Sequence, residues 1–591
     1  MLRSEVETKY TWDLSKFYKD DKSWQADFKK LKKFVGVFAS YKQKLGNADV
    51  LFEYLQKSKQ CDLLLTRLYM YASNNFNTCL SNSAYGEMTT QLENLATIIG
   101  QEDSFVEPEL LSYSEEYLTS LQKDKRFKNY KFYFKDLLRD KKHVLSEKEE
   151  ALLSAVGSFA GDTSDVFNSL ADVDFKFDDA FDSKGEAHKI SSYSDYVVLI
   201  KNKDRVLRQN AYKSYYKQFE NFNNTISLNY ITNLKADLFY AKARKFNNTF
   251  EAALYGDNIP KQLYKKLKEQ VRLALPITKK YYELRKKALG VEELTFYDVN
   301  VSICNDIDKK FTFEEAKTIV LEALKPLGDE YVNVVKQAFN DRWIDVYPTK
   351  DKKSGGYETN SYDETPIILL NFVGDISDVF TLAHELGHAM HSYLTCKAQP
   401  YETHDYTIFL AEIASTFNEV LLTHYFLNNA KTNQEKLYFL DRYINLFNGT
   451  IFRQMQYSEF EEQAHNLVAN NAPISKEILN KCYYDLNATY NPGVKNDDIK
   501  KYHWSCVPHF YRSFYVYKYA TGLISAVSLA LKVLQGNNCD LKNYFKFLSA
   551  GASDYSINIL KNAGVDLTSN GPYELAFAEL KKAVDQLEKL I

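Results

Sequence analysis

The chain has 591 residues, 45% hydrophobic and 26% charged, with a formal net charge of −3. That mixture suits a folded soluble protein long enough to bury more than one core. Acidic and basic residues are interspersed throughout, which favours neither nucleic acid nor an anionic membrane as partner.

Seven scattered cysteines without C-x-x-C spacing read as reduced thiols rather than a disulfide framework. The opening MLRSEVETKYTWDL lacks an apolar signal core. The longest apolar run, 520–531, has 12 residues, against the ~20 a membrane span needs. A cytoplasmic location is therefore expected.

From Leu14 to about Leu170, apolar and charged residues recur at three- and four-residue spacing, as in FKKLKKFVGVFASYKQKL at 28–45. That period predicts a helical bundle. At Val173 the period changes to two, with Val173, Phe175 and Phe177 alternating with charged residues ahead of Asp182-Ser-Lys-Gly185. A small hairpin is expected there, closing an N-terminal helical region of residues 1–190. Helical spacing resumes near Ser192, and Asp257-Asn258-Ile259-Pro260 marks a further helix start.

In the second region, residues 191–591, the informative core lies at 350–425. Lys353-Ser-Gly355-Gly356-Tyr357 is a glycine-bearing loop, and Pro366–Phe372 is a short apolar run bounded by turn signals, hence a strand. Such a strand can bind an extended peptide at a sheet edge or lie buried without touching one; in the first case Gly355 and Gly356 are candidates for the contact.

TLAHELGHAMHSYL comes next, at 381–394, containing His384-Glu385-Leu386-Gly387-His388. Leu382, Leu386, Ala389, Met390 and Tyr393 give one apolar side, and no proline interrupts 379–394, so a helix is predicted. On a helix, residues four apart project from nearly the same side, about 6 Å from each other. Two imidazoles so placed reach one Zn²⁺ at ~2.0–2.1 Å. Glu385 lies about 100° round the helix, beside the ion, where it can accept a proton from an activated water.

Such a centre needs a third protein ligand. His391 is seven residues beyond His384, ~10.5 Å along the axis, and is read as support or core. The better candidate is Glu412, in a second helical segment (Ile408 to Phe426), where it shares a side with Ser415, Thr416 and Glu419. Hydroxyl and carboxylate groups one and two turns on suit a shell that orients metal ligands.

Further along, KYHWSCVPHFYRSFYVYKYATG at 501–522 concentrates His509, Tyr515, Tyr517 and Tyr519. Attack on a peptide carbonyl creates an oxyanion, which a phenol or imidazole donor ~3 Å away stabilises. Tyr517, two helical turns beyond His509, is the first choice of tyrosine.

These segments resemble the thimet-oligopeptidase-like zinc metallopeptidases, in their oligoendopeptidase F branch. TLAHELGHAMHS (381–392) and AEIASTFNE (411–419) carry the resemblance, which extends from TWDLSKFY at 11–18 to FLSAGASDYSINILKNAGVDL at 547–567. It implies that His384, His388 and Glu412 hold one Zn²⁺ per chain and that Glu385 is the catalytic base. His509 and tyrosines of the C-terminal segment would contact the substrate and its oxyanion. The implied architecture is mostly α with a small β-sheet: a zincin-like core within a large helical protein enclosing a channel for short unstructured oligopeptides. Lys353 and Ser302 depart from the arginine and proline usual in the family. An aminopeptidase of related type would need a G-x-M-E-N motif, which the 5 methionines do not supply.

Overall fold

The computed structural model describes residues 1–304 and 309–591. Helix accounts for 70% of it and strand for 2%, as the mostly α reading predicts. Two compact units form. One comprises Met1–Glu147, Lys309–Tyr425 and Leu529–Gly564; the other comprises Lys148–Asp308, Phe426–Ser528 and Val565–Ile591. No helix among the described residues is long and apolar enough to cross a membrane.

Six helices hold most of the residues of functional interest: α1 (Ala48–Thr78), α2 (Asn223–Ala243), α3 (Ile376–Ala398), α4 (Ile408–Asn429), α5 (Arg453–Ala469) and α6 (Tyr517–Leu534). Among the described residues, β1 (Ala180–Phe181) pairs antiparallel with β2 (Ala187–His188). A separate sheet has the order β3-β5-β4, from Ile344–Asp345, Ile367–Leu369 and Tyr357–Thr359.

The first unit is built on α1. Its start is fixed by Asn47, whose side chain accepts from the Asp49 and Val50 amides, satisfying donors that have no partner within the helix. Leu51, Tyr54 and Leu68 of α1 join Trp24 and Phe28 in a buried cluster that extends to Ile367 and Leu369 of the sheet.

The strand expected at 366–372 is present but shorter. It is not an edge: β5 runs parallel to β3 on one side and antiparallel to β4 on the other. Its three consecutive residues are at most 2% exposed, the pattern of a strand covered on both faces rather than one offering a free side. The two edges are β3 and β4; the backbone flanking β3 bonds to the N-terminal segment (Val346 N–H to the Tyr10 carbonyl, Asp13 N–H to the Arg342 carbonyl), and β4 is tied to α1. The Tyr357 hydroxyl donates to Asn74 Oδ1 at 2.8 Å and accepts from Asn77 Nδ2 at 2.7 Å.

In the second unit, the hairpin forms at 180–188, but the alternating residues before it are not strand. Residues Ser169–Asp174 make a π-helical turn. Phe175 instead packs its ring on Phe219 at 5.0 Å and on Phe222 at 5.3 Å, and Phe177 stacks on Tyr215 at 5.6 Å. The period of two there records aromatic packing on a neighbouring helix. Much of the tyrosine content is used the same way: Tyr212, Tyr230, Tyr264, Tyr281 and Tyr483 are each at most 1% exposed.

Candidate active site

Helix α3 starts where the Asp378 carboxylate accepts from the Val373 and Asp375 amides, at 2.8 and 3.0 Å. Its buried side packs on the sheet and on α4, and glycine at 387 permits the approach. A Cβ on Gly387 would lie 2.5 Å from both the Ala414 carbonyl oxygen and Ser415 Cα. The close crossing is secured by buried Asn418, whose Nδ2 donates to the Ala383 carbonyl at 3.0 Å. Two backbones in contact at residues 387 and 414–415 set Glu412 of α4 against the histidines of α3.

The three expected ligand atoms converge. His384 Nε2 and His388 Nε2 are 3.3 Å apart, and Glu412 Oε2 lies 3.5 Å from the first and 3.6 Å from the second. Ligands held tetrahedrally at ~2.0–2.1 Å from Zn²⁺ stand ~3.3–3.4 Å from one another. The observed spacing therefore fits a small divalent cation bound by two imidazoles and a carboxylate.

The surrounding groups orient these ligands. His384 Nδ1–H donates to Glu419 Oε1 at 2.7 Å, which leaves the Nε2 lone pair for a metal. Ser415 Oγ donates to Glu412 Oε2 at 3.1 Å. Burial opposes a charge on His384, but the Glu419 bond and the nearby Glu385 and Glu412 charges outweigh it and lift His384 to about 9. The carboxylates that favour a proton on this imidazole favour a cation beside it equally. The His388 imidazole beside it, with His384 and the Ser415 hydroxyl, holds Glu412 down to about 2, against its desolvation.

Glu385 is 6% exposed, and both imidazoles of the ligand trio act on its carboxylate. Burial raises its carboxyl above the ordinary range, although His384 and His388 pull it back. The glycine loop comes close to it: a Cβ on Gly356 would lie 3.5 Å from Glu385 Oε1 and 3.2 Å from Thr381 Cγ2. Gly355, with φ of +86°, turns the chain in the left-handed region, and Asn371 Nδ2 donates to the Gly355 carbonyl at 2.8 Å. On β4, burial lifts Glu358 to about 8. No sequence signal singled out Glu358 or Asn418.

His391 is core. It is fully buried and stacked on Tyr406 at 3.7 Å, and desolvation pushes it down to about 3.

The C-terminal candidates lie in the second unit and divide by orientation. His509 is exposed and half-buried Tyr515 and Tyr519 stand beside it, at ring separations of 6.3 and 6.0 Å, with 5.3 Å between the tyrosines. Tyr517 points the other way. It is 1% exposed and packs edge-on against Tyr264 at 5.7 Å. Spacing along a presumed helix did not separate the two sets, because helix begins only at Tyr517.

A second metal-sized group, Asp182, Glu186 and His188, occupies the β1–β2 turn. There Asp182 Oδ1 accepts from the Lys184 and Glu186 amides, a turn-forming role.

Two family models match the chain: Peptidase family M3 over residues 198–579 and Oligopeptidase F over 109–177. The chain belongs to peptidase family M3, in its oligoendopeptidase F branch. It is 36% identical over its full length to Oligopeptidase PepF of Bacillus subtilis, covering 88% of that protein. It is also 36% identical over its full length to an oligoendopeptidase F homolog of Lactococcus lactis, covering 98% of it. The crystal structure of oligoendopeptidase-F from Enterococcus faecium superposes with a TM-score of 0.74 at 30% identity, spanning 96% of this chain and 99% of that one. This M3 protein is accordingly a metalloendopeptidase acting on peptides.

Proposed function

We propose that this M3 peptidase is a zinc-dependent endopeptidase that hydrolyses internal bonds of short, unstructured oligopeptides. The observation that carries the reading is the convergence of His384 Nε2, His388 Nε2 and Glu412 Oε2 at 3.3–3.6 Å. These three residues would hold one Zn²⁺, which supplies Lewis acidity that polarises the scissile carbonyl and brings a water pKa towards ~7. Glu419 and Ser415 keep the ligands aimed. Glu385, its carboxyl raised by burial, accepts the proton of the attacking water and delivers it to the leaving amine.

The substrate is read as an extended strand laid along β4, the sheet edge whose leading glycine, Gly356, abuts Glu385. His509, Tyr515 and Tyr519 are assigned to substrate and oxyanion contact. The phenol of Tyr517 is buried and supports that segment from beneath. A cytoplasmic location accords with the free thiols.

Replacing Glu385 by Gln tests the assignment. It removes general-base catalysis, worth ~10²–10⁴-fold in rate, while zinc content stays at one per chain. Cleavage of a quenched fluorescent oligopeptide by E385Q at the parental rate refutes it.

A further inference from the structure

The backbone beneath the His509–Tyr515–Tyr519 cluster is held in an unfavourable conformation by buried polar side chains. Phe514 has φ of +55°, in the left-handed region that a bulky side chain rarely adopts and that persists only when its surroundings impose it. Its ring is 1% exposed, packed on Phe250 at 5.1 Å and on His465 at 4.8 Å. Its amide donates to Glu461 Oε1 at 3.0 Å. Glu461 is itself 0% exposed, and its Oε2 has no hydrogen-bond partner among the described residues. A buried carboxyl engaged by one backbone N–H is costly, and desolvation accordingly raises Glu461 well above the carboxylate range.

Ser513 is gripped from two directions. Its hydroxyl donates to Asp237 Oδ2 at 2.5 Å. Its one hydrogen thus committed, Ser513 Oγ accepts from His465 Nε2–H at 3.1 Å. The chain of bonds continues outward: Asn233 Nδ2 donates to Asp237 Oδ2 at 3.0 Å, and Thr163 Oγ1 donates to Asn233 Oδ1 at 2.8 Å. Asp237 and Asn233 lie one turn apart on α2, and Glu461 and His465 one turn apart on α5. Two rigid helices therefore clamp two consecutive residues of an irregular segment.

The clamp sets side-chain direction. Ser513 faces the polar chain, the reversal at Phe514 sends Tyr515 outward, and Tyr517 returns to the core. The Arg512 guanidinium lies over the outward Tyr515 ring at 4.2 Å. Without the left-handed residue, Tyr515 loses its place beside His509 and Tyr519.

We propose that Glu461, Asp237 and His465 are positioning residues: they lock Ser513 and Phe514 so that His509, Tyr515 and Tyr519 stand preformed for the substrate. This rests on the proposed contact of that aromatic trio with substrate. Preformed contacts matter kinetically, because misplacing a binding group by ~1 Å costs up to ~10²-fold in rate.

The experiment compares Ser513→Ala, Glu461→Leu and Glu461→Gln with Tyr515→Ala and His509→Ala, all as full-length zinc-loaded enzyme. Quenched-peptide kinetics, zinc per chain and melting temperature are measured for each. Ser513→Ala removes both clamping bonds with almost no change of volume, so it serves if Glu461→Leu does not fold. The expected result is a ~10–100-fold fall in kcat/KM for Ser513→Ala and Glu461→Leu, with KM raised by the lost substrate contact and kcat lowered by the lost oxyanion contact, as in Tyr515→Ala and His509→Ala, and with zinc at parental level. Glu461→Gln, which keeps an acceptor for the Phe514 amide, restores most of the loss. Parental kcat/KM in Ser513→Ala while Tyr515→Ala or His509→Ala is impaired overturns the positioning role and leaves the aromatic assignment standing. Parental kinetics in both aromatic variants overturn that assignment and this proposal together. Loss of activity in Ser513→Ala that merely tracks loss of zinc also overturns it.

Discussion

Gly387→Ala places one methyl group at the crossing of α3 and α4, and its consequence for metal binding can be worked from distances. The new Cβ meets the Ala414 carbonyl oxygen and Ser415 Cα at 2.5 Å, where ordinary contact begins at 3.4 Å. Both neighbours are backbone, so no rotamer change relieves the clash, and the helices must part by about 0.9 Å. Glu412 rides on the same turn of α4 as Ala414. If the shift reaches its carboxylate in full, the 3.5 and 3.6 Å separations from the imidazoles grow to about 4.4 Å. An ion in the plane of the three atoms would then sit about 2.4 Å from each, beyond the ~2.0–2.2 Å of zinc–nitrogen and zinc–carboxylate bonds. Overpacking of this kind costs about 1–3 kcal/mol of stability, and disturbed ligand geometry about 10–100-fold in metal affinity. Competition with a chromophoric chelator measures the affinity, and thermal melting of metal-free protein measures the stability. A Gly387→Ala protein that binds zinc as tightly as the parent and hydrolyses peptide at the parental rate refutes the helix-crossing argument.

Other perturbations exploit the same geometry. Glu419→Gln weakens the hold on His384 Nδ1 and should lower zinc affinity about 10–100-fold by chelator competition. In metal-free protein the same pair makes stability depend on pH. His384 is lifted to about 9 in the folded state from an unfolded value of about 6.5, so its contribution is fully present below about pH 6.5 and is lost as pH rises through about 9. Melting temperatures at pH 6 and 9.5 should differ less in Glu419→Gln than in the parent, and an unchanged difference argues against the pairing. Tyr357→Phe leaves Asn74 and Asn77, which are 3% and 8% exposed, short of a partner; a loss of about 1–3 kcal/mol by denaturant titration is expected. Acetylating a substrate's amino terminus should leave its internal cleavage intact, and abolished cleavage would mark an exopeptidase.

The chemistry was legible in the sequence where it depends on one helix. His384, Glu385 and His388 are related by helical periodicity alone, and a 23-residue helix delivers them as that period requires. Glu412, Ser415 and Glu419 obey the same rule on α4. What joins the two helices was hidden: Gly387 is a helix-weakening residue whose close contact with 414–415 is a tertiary fact. The sheet was harder still, since strands of two and three residues leave almost no period, and β4 as an edge depends on which partner β5 takes. The Tyr515/Tyr517 division turns on a single left-handed residue, Phe514, and nothing in a run of tyrosines announces it.

Diffraction at the zinc absorption edge from crystals of the purified protein tests the metal centre most directly. One anomalous peak per chain is expected within ~2.0–2.2 Å of His384 Nε2, His388 Nε2 and a Glu412 carboxylate oxygen. A peak ligated by other residues, or none at this trio in protein that hydrolyses peptides, contradicts the assignment.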